Sequence, residues 1–399
     1  MPALLAFAST PALAQESKKL LERISGSKIP GDHPLLVQME EKLAQGDRLG
    51  AARIALQHPN FYNITVKQMA LKLSTRELTI AQKLNDFAAS YIGVVKDGLD
   101  ARLLLTGNFH YAAAAGVVAS QDVTRSNAHY EQLDDAAGQR RINLASVLTR
   151  VNGQLLAAES GGGNVANPDP AGVLTSRAFL GAHAIAGTNR RPVEYTMKVF
   201  MCVDMAEWSD TGSSDARVGR DIDRMPGGDP GRYLTTCKGC HTGMDGFRGA
   251  FARWDWTPEG FIIHSSTHTD SRFDRFVGGI SKKMNHNNTT YPTGHVTSSS
   301  QWVNFARAPA NAALFGWRGT SAAVVDKGFD VKSFGNLVAN SERFSQCMVK
   351  RVFEAVCRKE TQIASNPGYF QAYATLFEKS VYNMQELFAQ VAISPECNQ

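Results

Sequence analysis

Apolar residues recur at helical spacing along most of the chain. Leu35, Met39 and Leu43 form one such stripe, and a longer stripe predicts a helix over residues 79–96. The same period continues, with breaks at glycine, through residues 17–158. We therefore expect the first part of the chain to be a series of helices.

The second half repeats this pattern around two less regular stretches. Residues 209–231 are rich in Gly, Asp and Ser, and residues 261–295 are rich in His, Thr, Asn and Gly. These compositions indicate loops, with one short strand in the second stretch. Helices are predicted over residues 176–183, 192–205, 244–254, 301–310, 331–339, 341–357, 367–379 and 383–391.

Composition limits the classes of function. The 399 residues are 43% hydrophobic, which suits a globular protein with a sizeable core. The 42 basic and 37 acidic residues give a net charge of +5 and are spread without a long basic block, so no nucleic-acid partner is expected. No segment approaches about 18 unbroken apolar residues, so we predict no transmembrane segment.

The N-terminus favours export. A short apolar run precedes Ala12-Leu13-Ala14, which has the small-x-small pattern of a cleavage site. This predicts a secretory signal over residues 1–14 and a periplasmic or extracellular protein. No Lys or Arg precedes the apolar run, so a frayed terminal helix is the alternative.

The most informative chemical pattern is Cys237-Lys238-Gly239-Cys240-His241. In a C-x-x-C-H run, two thiols one helical turn apart reach the two vinyl groups of a porphyrin, and the adjacent imidazole ligates the iron. A zinc site would need a fourth ligand, and no second C-x-x-C or H-x-x-x-H supplies it. A redox-active dithiol would need a βαβ setting, which the sequence does not indicate. We therefore predict one covalent haem c, held by Cys237 and Cys240 with His241 as the proximal iron ligand.

Four further cysteines are candidates for two disulfides: Cys202, Cys347, Cys357 and Cys397. An even number fits an exported chain, although four buried free thiols are the alternative. Cys347 and Cys357 lie on one predicted helix, about 15 Å apart along its axis, whereas a bridge allows roughly 4.4–6.8 Å. They cannot pair. An up-down-up arrangement of the last three helices favours Cys357 with Cys397, which leaves Cys202 with Cys347.

Four stretches together carry a resemblance to a known family: residues 172–175 (GVLT), 189–192 (NRRP), 237–247 with the haem run and Met-Asp-Gly-Phe, and 344–349 (FSQCMV). They resemble the planctomycete-type cytochrome c proteins over about residues 170–360. That resemblance implies an exported monohaem protein built of helical domains around one C-x-x-C-H, and it implies electron transfer. Where the family commonly has proline after the aspartate, this chain has Gly246.

These observations define the predicted organisation. The fold class is mainly α, with a helical N-terminal domain and a helical cytochrome-c-like domain that has long irregular loops. The expected divisions are a signal at 1–14, the N-terminal domain at 15–158, a linker at 159–171, the haem domain at 172–310 and a C-terminal helical segment packed on it at 311–399. The linker is placed on its Gly and Pro content.

The sixth iron ligand decides the kind of haem protein. Methionine suits electron transfer, a second histidine lowers the potential, and an open position permits peroxide or gas chemistry. Met284, in a loop-like stretch, is our choice for the distal ligand, although a buried Met is more often core. The other candidates are His268, His286 and Met225. Arg190 and Arg191 either pair with haem propionates or form a solvated helix start.

Electron transfer to a redox partner protein is the favoured function, and an electron-transfer protein is favoured over a catalyst. The mild positive charge suits an acidic partner. One alternative is a haem c enzyme of the peroxidase type with an open distal position, and another is a haem protein acting as an assembly subunit. Self-association stays open.

Overall fold

The structure is a computed structural model that describes residues 10–139, 141–269, 273–320 and 322–398. Helices dominate these ranges, which confirms the predicted mainly α fold class. The strands are short, and those described pair two by two in antiparallel fashion. None of the described helices is both long enough and apolar enough to cross a bilayer.

The N-terminal part contains α1 (Pro11–Ser25), α2 (Pro34–Ala44), α3 (Arg48–Ala55), α4 (Lys67–Leu73), α5 (Asp86–Lys96), α6 (Leu103–Thr106), α7 (Ala128–Gly138) and α8 (Leu144–Val147), with a π-helical turn at Phe61–Val66. Local sequence sets the ends. In α1 the Thr10 hydroxyl accepts the Leu13 N–H, and Gly26 ends the helix at φ 72°. Residues 1–9 of the predicted signal lie outside the described residues.

The helix predicted over 79–96 is shorter than expected. It begins at Asp86 because the Asn85 side chain accepts the Ala88 N–H and caps the first turn there. Leu84 is buried without being helical. The hydrophobic stripe therefore begins before the N-cap at which the helix starts.

The strands are β1 (Phe109–Ala113), β2 (Leu148–Asn152), β3 (Leu155–Ala157), β4 (Asn164–Ala166), β5 (Trp254–Trp256), β6 (Ile262–His264), β7 (Phe276–Val277), β8 (Ile280–Ser281), β9 (Gln301–Val303) and β10 (Lys327–Phe329). Three expectations contained too little strand. Residues 17–158 contain β1, β2 and β3, residues 261–295 contain three short strands, and residues 254–256 are a strand rather than the end of a helix. β1 pairs with β2 from a distant part of the chain, which local periodicity does not report. β5 with β6 and β7 with β8 are local hairpins whose strands are too short to show an alternating pattern.

The later helices are α9 (Arg177–His183), α10 (Arg191–Phe200), α11 (Pro230–Arg232), α12 (Lys238–Phe247), α13 (Pro309–Phe315), α14 (Asp330–Ala339), α15 (Glu342–Cys357), α16 (Pro367–Lys379), α17 (Met384–Ala392) and α18 (Pro395–Asn398). Single 3₁₀ turns occupy Gly172–Thr175, Met205–Glu207, Pro226–Gly228, Arg248–Phe251, Lys282–Asn285 and Ile363–Ser365, and a π-helical turn occupies Tyr233–Cys237. The helix predicted over 301–310 is wrong for all but its last two residues. Trp302 pairs with Gly328 across β9 and β10, and α13 begins only at Pro309.

Segments on either side of the predicted linker pack directly on each other. The Phe87 ring lies 6.3 Å from that of Phe179 and 6.2 Å from that of Phe200. The buried Asp86 carboxylate accepts the N–H groups of Arg177 and Ala178 at the start of α9. Between these segments, β3 and β4 form a hairpin inside the stretch from 155 to 166. One hydrophobic core runs through both sides.

Two disulfides link the later helices. Cys202 pairs with Cys347 at a Cα–Cα distance of 5.3 Å, and Cys357 pairs with Cys397 at 5.0 Å. This is the pairing favoured by the sequence. The first bridge ties the segment after α10 to α15, and the second ties the end of α15 to α18.

Candidate functional site

The C-x-x-C-H run lies where the π-helical turn at Tyr233–Cys237 passes into α12. Cys237 is the last residue of the turn, and Cys240 and His241 lie in the first turn of the helix. Residues three and four apart share a helix face, so the two thiols and the imidazole are presented together. Leu234, one turn earlier, is 51% exposed on this stretch.

Three glycines lie on one side of α12, which we call the glycine face, and the first and third of them let the helix lie close to neighbouring backbone. They are Gly239, Gly243 and Gly246. A Cβ on Gly239 would lie 3.0 Å from the Trp208 carbonyl oxygen, and one on Gly246 would lie 2.5 Å from the Val303 carbonyl oxygen. Glycine lowers intrinsic helix stability, so this helix depends on tertiary contacts for its position. Gly246, which departs from the family pattern, lies inside the helix.

Both thiols of the run are free, whereas the other four cysteines are bridged. Cys237 and Cys240 are partly exposed. The Cys240 Sγ lies 3.4 Å from the Met205 carbonyl oxygen and 3.5 Å from that of Trp208. Burial raises the pKa of the Cys240 thiol, and the neighbouring Cys237 adds to this shift. The neutral thiol is therefore the favoured form at Cys240.

His241 points its Nδ1 atom towards a buried carboxylate. The Nδ1 atom lies 3.7 Å from Oδ1 of Asp245, one helical turn later, and makes no hydrogen bond to the described residues. The His241 side chain is 22% exposed, whereas that of Asp245 is fully buried. Burial opposes ionisation of Asp245, but Arg248 and Arg190 outweigh it and hold the pKa of this carboxyl well below its usual range.

Arg190 is fully engaged in this ionic cluster. Its Nε and Nη2 donate to the two oxygens of Asp245, Nη1 and Nη2 donate to those of Asp221, and Nη1 also donates to the Thr188 hydroxyl. Guanidinium has five N–H donors, and all five are used. The interpretation of Arg190 as a propionate partner or a solvated helix start is therefore wrong; Arg191 is partly exposed.

Arg248 lies under the same cluster and is 1% exposed. None of its three guanidinium nitrogens has a hydrogen-bond partner among the described residues, and Nη1 lies 4.0 Å from Oδ1 of Asp221. Burial lowers the pKa of Arg248. Burying a guanidinium without hydrogen-bond acceptors costs free energy. An added acceptor that reached these donors would recover part of that free energy.

The sequence candidates for the sixth ligand lie in different surroundings. Met284 is 1% exposed and packs with Ala252 and Ile280 in a small apolar cluster, separate from the main core that Cys240 contacts. His268 is buried, and its Nε2 lies 2.9 Å from the Ala157 carbonyl oxygen.

The remaining two candidates are exposed. His286 lies just after the 3₁₀ turn Lys282–Asn285, and Met225 is 54% exposed in the loop before the motif. Among the described residues, no hydrogen bond or ring contact joins any of the four candidates to the C-x-x-C-H run, so the distal ligand stays a prediction.

The sequence reasoning assigned no role to Asp245, Asp221 or Arg248. Asp245 stands four residues after His241, so helix spacing was an available signal. Asp221 and Arg190 join the site only through folding, because they lie in separate loops and helices. No such spacing could have identified them.

Comparison with known proteins adds no family assignment. No protein-family model, curated protein or solved structure matches the chain. Among the described residues, no three His, Cys, Asp or Glu side chains are grouped as ligands for a metal ion. The resemblance to planctomycete-type cytochromes c therefore depends on the motif residues alone.

Proposed function

We propose that this protein is a monohaem c-type cytochrome that transfers electrons. Cys237 and Cys240 would hold the haem through two thioethers, and His241 would be its proximal axial ligand. The observation that carries the proposal is the placement of these three side chains on one helix face, with both thiols free while the other four cysteines are paired. Haem c, when bound, supplies a one-electron iron couple.

The residues around the motif support a porphyrin rather than a small ion. The exposed Leu234 side chain, in the turn just before the motif, offers apolar contact beside it. The buried Arg248 guanidinium offers unused donors that match a carboxylate, which haem carries as propionate. A zinc ion would need three or four grouped ligands, and no such group of His, Cys, Asp or Glu side chains occurs among the described residues.

Met284 remains our proposal for the distal ligand, and its buried, apolar surroundings suit a thioether. The proposed setting is periplasmic or extracellular, since two disulfides are typical of an oxidising compartment. A redox partner protein is proposed as the electron donor or acceptor, and an acidic surface would complement the net charge of +5.

The decisive experiment is expression of the full chain in a host with cytochrome c maturation, followed by a pyridine haemochrome assay and intact mass. We expect one covalent haem per chain. The Cys237→Ser and Cys240→Ser double variant should carry none, whereas the matched double variant Cys357→Ser and Cys397→Ser should keep it. A colourless wild-type chain, a bridge between Cys237 and Cys240, or bound zinc would refute the proposal.

Optical spectra of the same protein test the distal position. A low-spin spectrum with a methionine-to-iron band supports an electron shuttle, and loss of that band in Met284→Ala would assign the ligand. His286→Ala is the matched control, because that exposed side chain follows the same turn. A high-spin ferric spectrum would instead favour the peroxidase-type alternative.

A further inference from the structure

His241 and Asp245 form a pair that the proposed haem function does not by itself require. The imidazole Nδ1 is buried, and its nearest acidic atom is Oδ1 of Asp245 at 3.7 Å. A hydrogen bond needs about 3.0 Å, so a shortening of about 0.7 Å would form one. The other ring nitrogen, Nε2, is then the atom left for a ligand bond.

Asp245 is held in place from several directions. Arg190 donates to both of its oxygens, and the Gly219 N–H donates to Oδ2 at 2.8 Å. Asp221 fixes Arg190 from the other side. A carboxylate anchored in this way is preorganised to orient a neighbouring imidazole, as carboxylates that support metal-bound histidines do.

We propose that Asp245 is a positioning residue that accepts the Nδ1–H of His241, fixes the tautomer with a free Nε2, and lowers the haem reduction potential. The inference depends on the proposed function for its redox consequence. A negative charge beside the proximal ligand favours ferric over ferrous iron. Because Arg190 partly neutralises the negative charge of Asp245, the lowering of the reduction potential is smaller than it would be without Arg190, but it is not abolished.

The first test uses Asp245→Asn and the matched variant Asp221→Asn in the haem-loaded full chain. Both remove one acidic charge from the same cluster, but only Asp245 lies beside His241. We expect Asp245→Asn to shift the ferric-to-ferrous equilibrium at least tenfold towards ferrous, about 59 mV for one electron, and Asp221→Asn to shift it less. Equal shifts, or none in Asp245→Asn, would overturn the positioning role.

The second test needs no haem. In the full chain expressed without maturation and labelled with ¹⁵N-histidine, NMR at pH about 8, where imidazoles are ordinarily neutral, reports the tautomer of His241. We expect Nδ1–H in the wild type, and the observation of Nε2–H would overturn the inference even if Asp245→Asn fails to fold. If the matured wild type carries no haem while the tautomer is Nδ1–H, only the proposed function fails.

Discussion

Replacing Gly246 with alanine tests whether close backbone contact holds α12 in place. A Cβ built at Gly246 lies 2.5 Å from the Val303 carbonyl oxygen and 3.0 Å from Cδ2 of Phe305. Ordinary contact begins at 3.4 Å, so the helix and β9 must separate by about 0.9 Å, the difference between 3.4 and 2.5. The carbonyl oxygen belongs to a paired strand and cannot rotate away as a flexible side chain can.

The magnitude follows from two opposing effects. Overpacking of this kind costs about 1–3 kcal/mol, while alanine in place of glycine inside a helix gains about 0.5–1 kcal/mol. We therefore expect Gly246→Ala to lower the free energy of unfolding by about 1 kcal/mol, within a range of about 0–2.5 kcal/mol. Gly243→Ala is the matched control on the same helix, because its Cβ would lie 3.5 Å from Cε3 of Trp208, an ordinary contact. That variant should gain about 0.5–1 kcal/mol.

The assay is urea unfolding of the haem-free full chain with both disulfides intact, followed by circular dichroism. Its result is independent of the proposed function. Opposite signs for the two variants would support the close contact between α12 and β9. If Gly246→Ala stabilises the chain as much as Gly243→Ala does, the close approach is not what positions this helix.

Two further predictions concern buried ionisable side chains. Burial lowers the pKa of His183 to about 3, below the unfolded 6.5, so its contribution is present above pH 6.5 and is lost as pH falls. When the pH falls from 7 to 5, the free energy of unfolding of the wild type should therefore fall by about 2 kcal/mol more than that of His183→Phe. An equal fall in both proteins would refute this. Arg190→Gln removes the guanidinium that donates to Asp245 and Asp221 and leaves Arg248 as their remaining cation. It should cost about 3 kcal/mol in denaturant unfolding, the lower end for breaking a buried ion pair, against about 0.5 kcal/mol for Arg191→Gln. Similar costs for the two variants would contradict the ion cluster.

The sequence predicted elements well where local signals and tertiary packing agree. The helix over Pro367–Lys379 has the predicted bounds, with Asn366 capping it. The start at 79 was wrong because the apolar stripe ran through the cap at Asn85. Residues 301–303 form a strand because β10 lies beside them, and no local pattern contains that information.

At the site, only the residues on one helix face could be predicted from the sequence. Cys237, Cys240 and His241 are neighbours along the chain, so spacing was sufficient to group them. Arg190 was misinterpreted because its partner Asp245 lies 55 residues away and meets it only in the folded chain. The glycine face was visible as spacing, but its function depends on the backbones that contact it.

The bridge between Cys202 and Cys347 encloses the C-x-x-C-H run within a loop of 145 residues. In a chain that enters an oxidising compartment from its N-terminus, Cys202, Cys237 and Cys240 arrive before Cys347. Three thiols are then present while the partner of Cys202 is still missing. Mispairing with either motif cysteine closes a much shorter and entropically cheaper loop. If the proposed function holds, early attachment of those two sulfurs to porphyrin also prevents them from forming a disulfide with Cys202. Cys202 then stays free to pair with Cys347, so haem attachment favours correct disulfide formation as well as creating the redox centre.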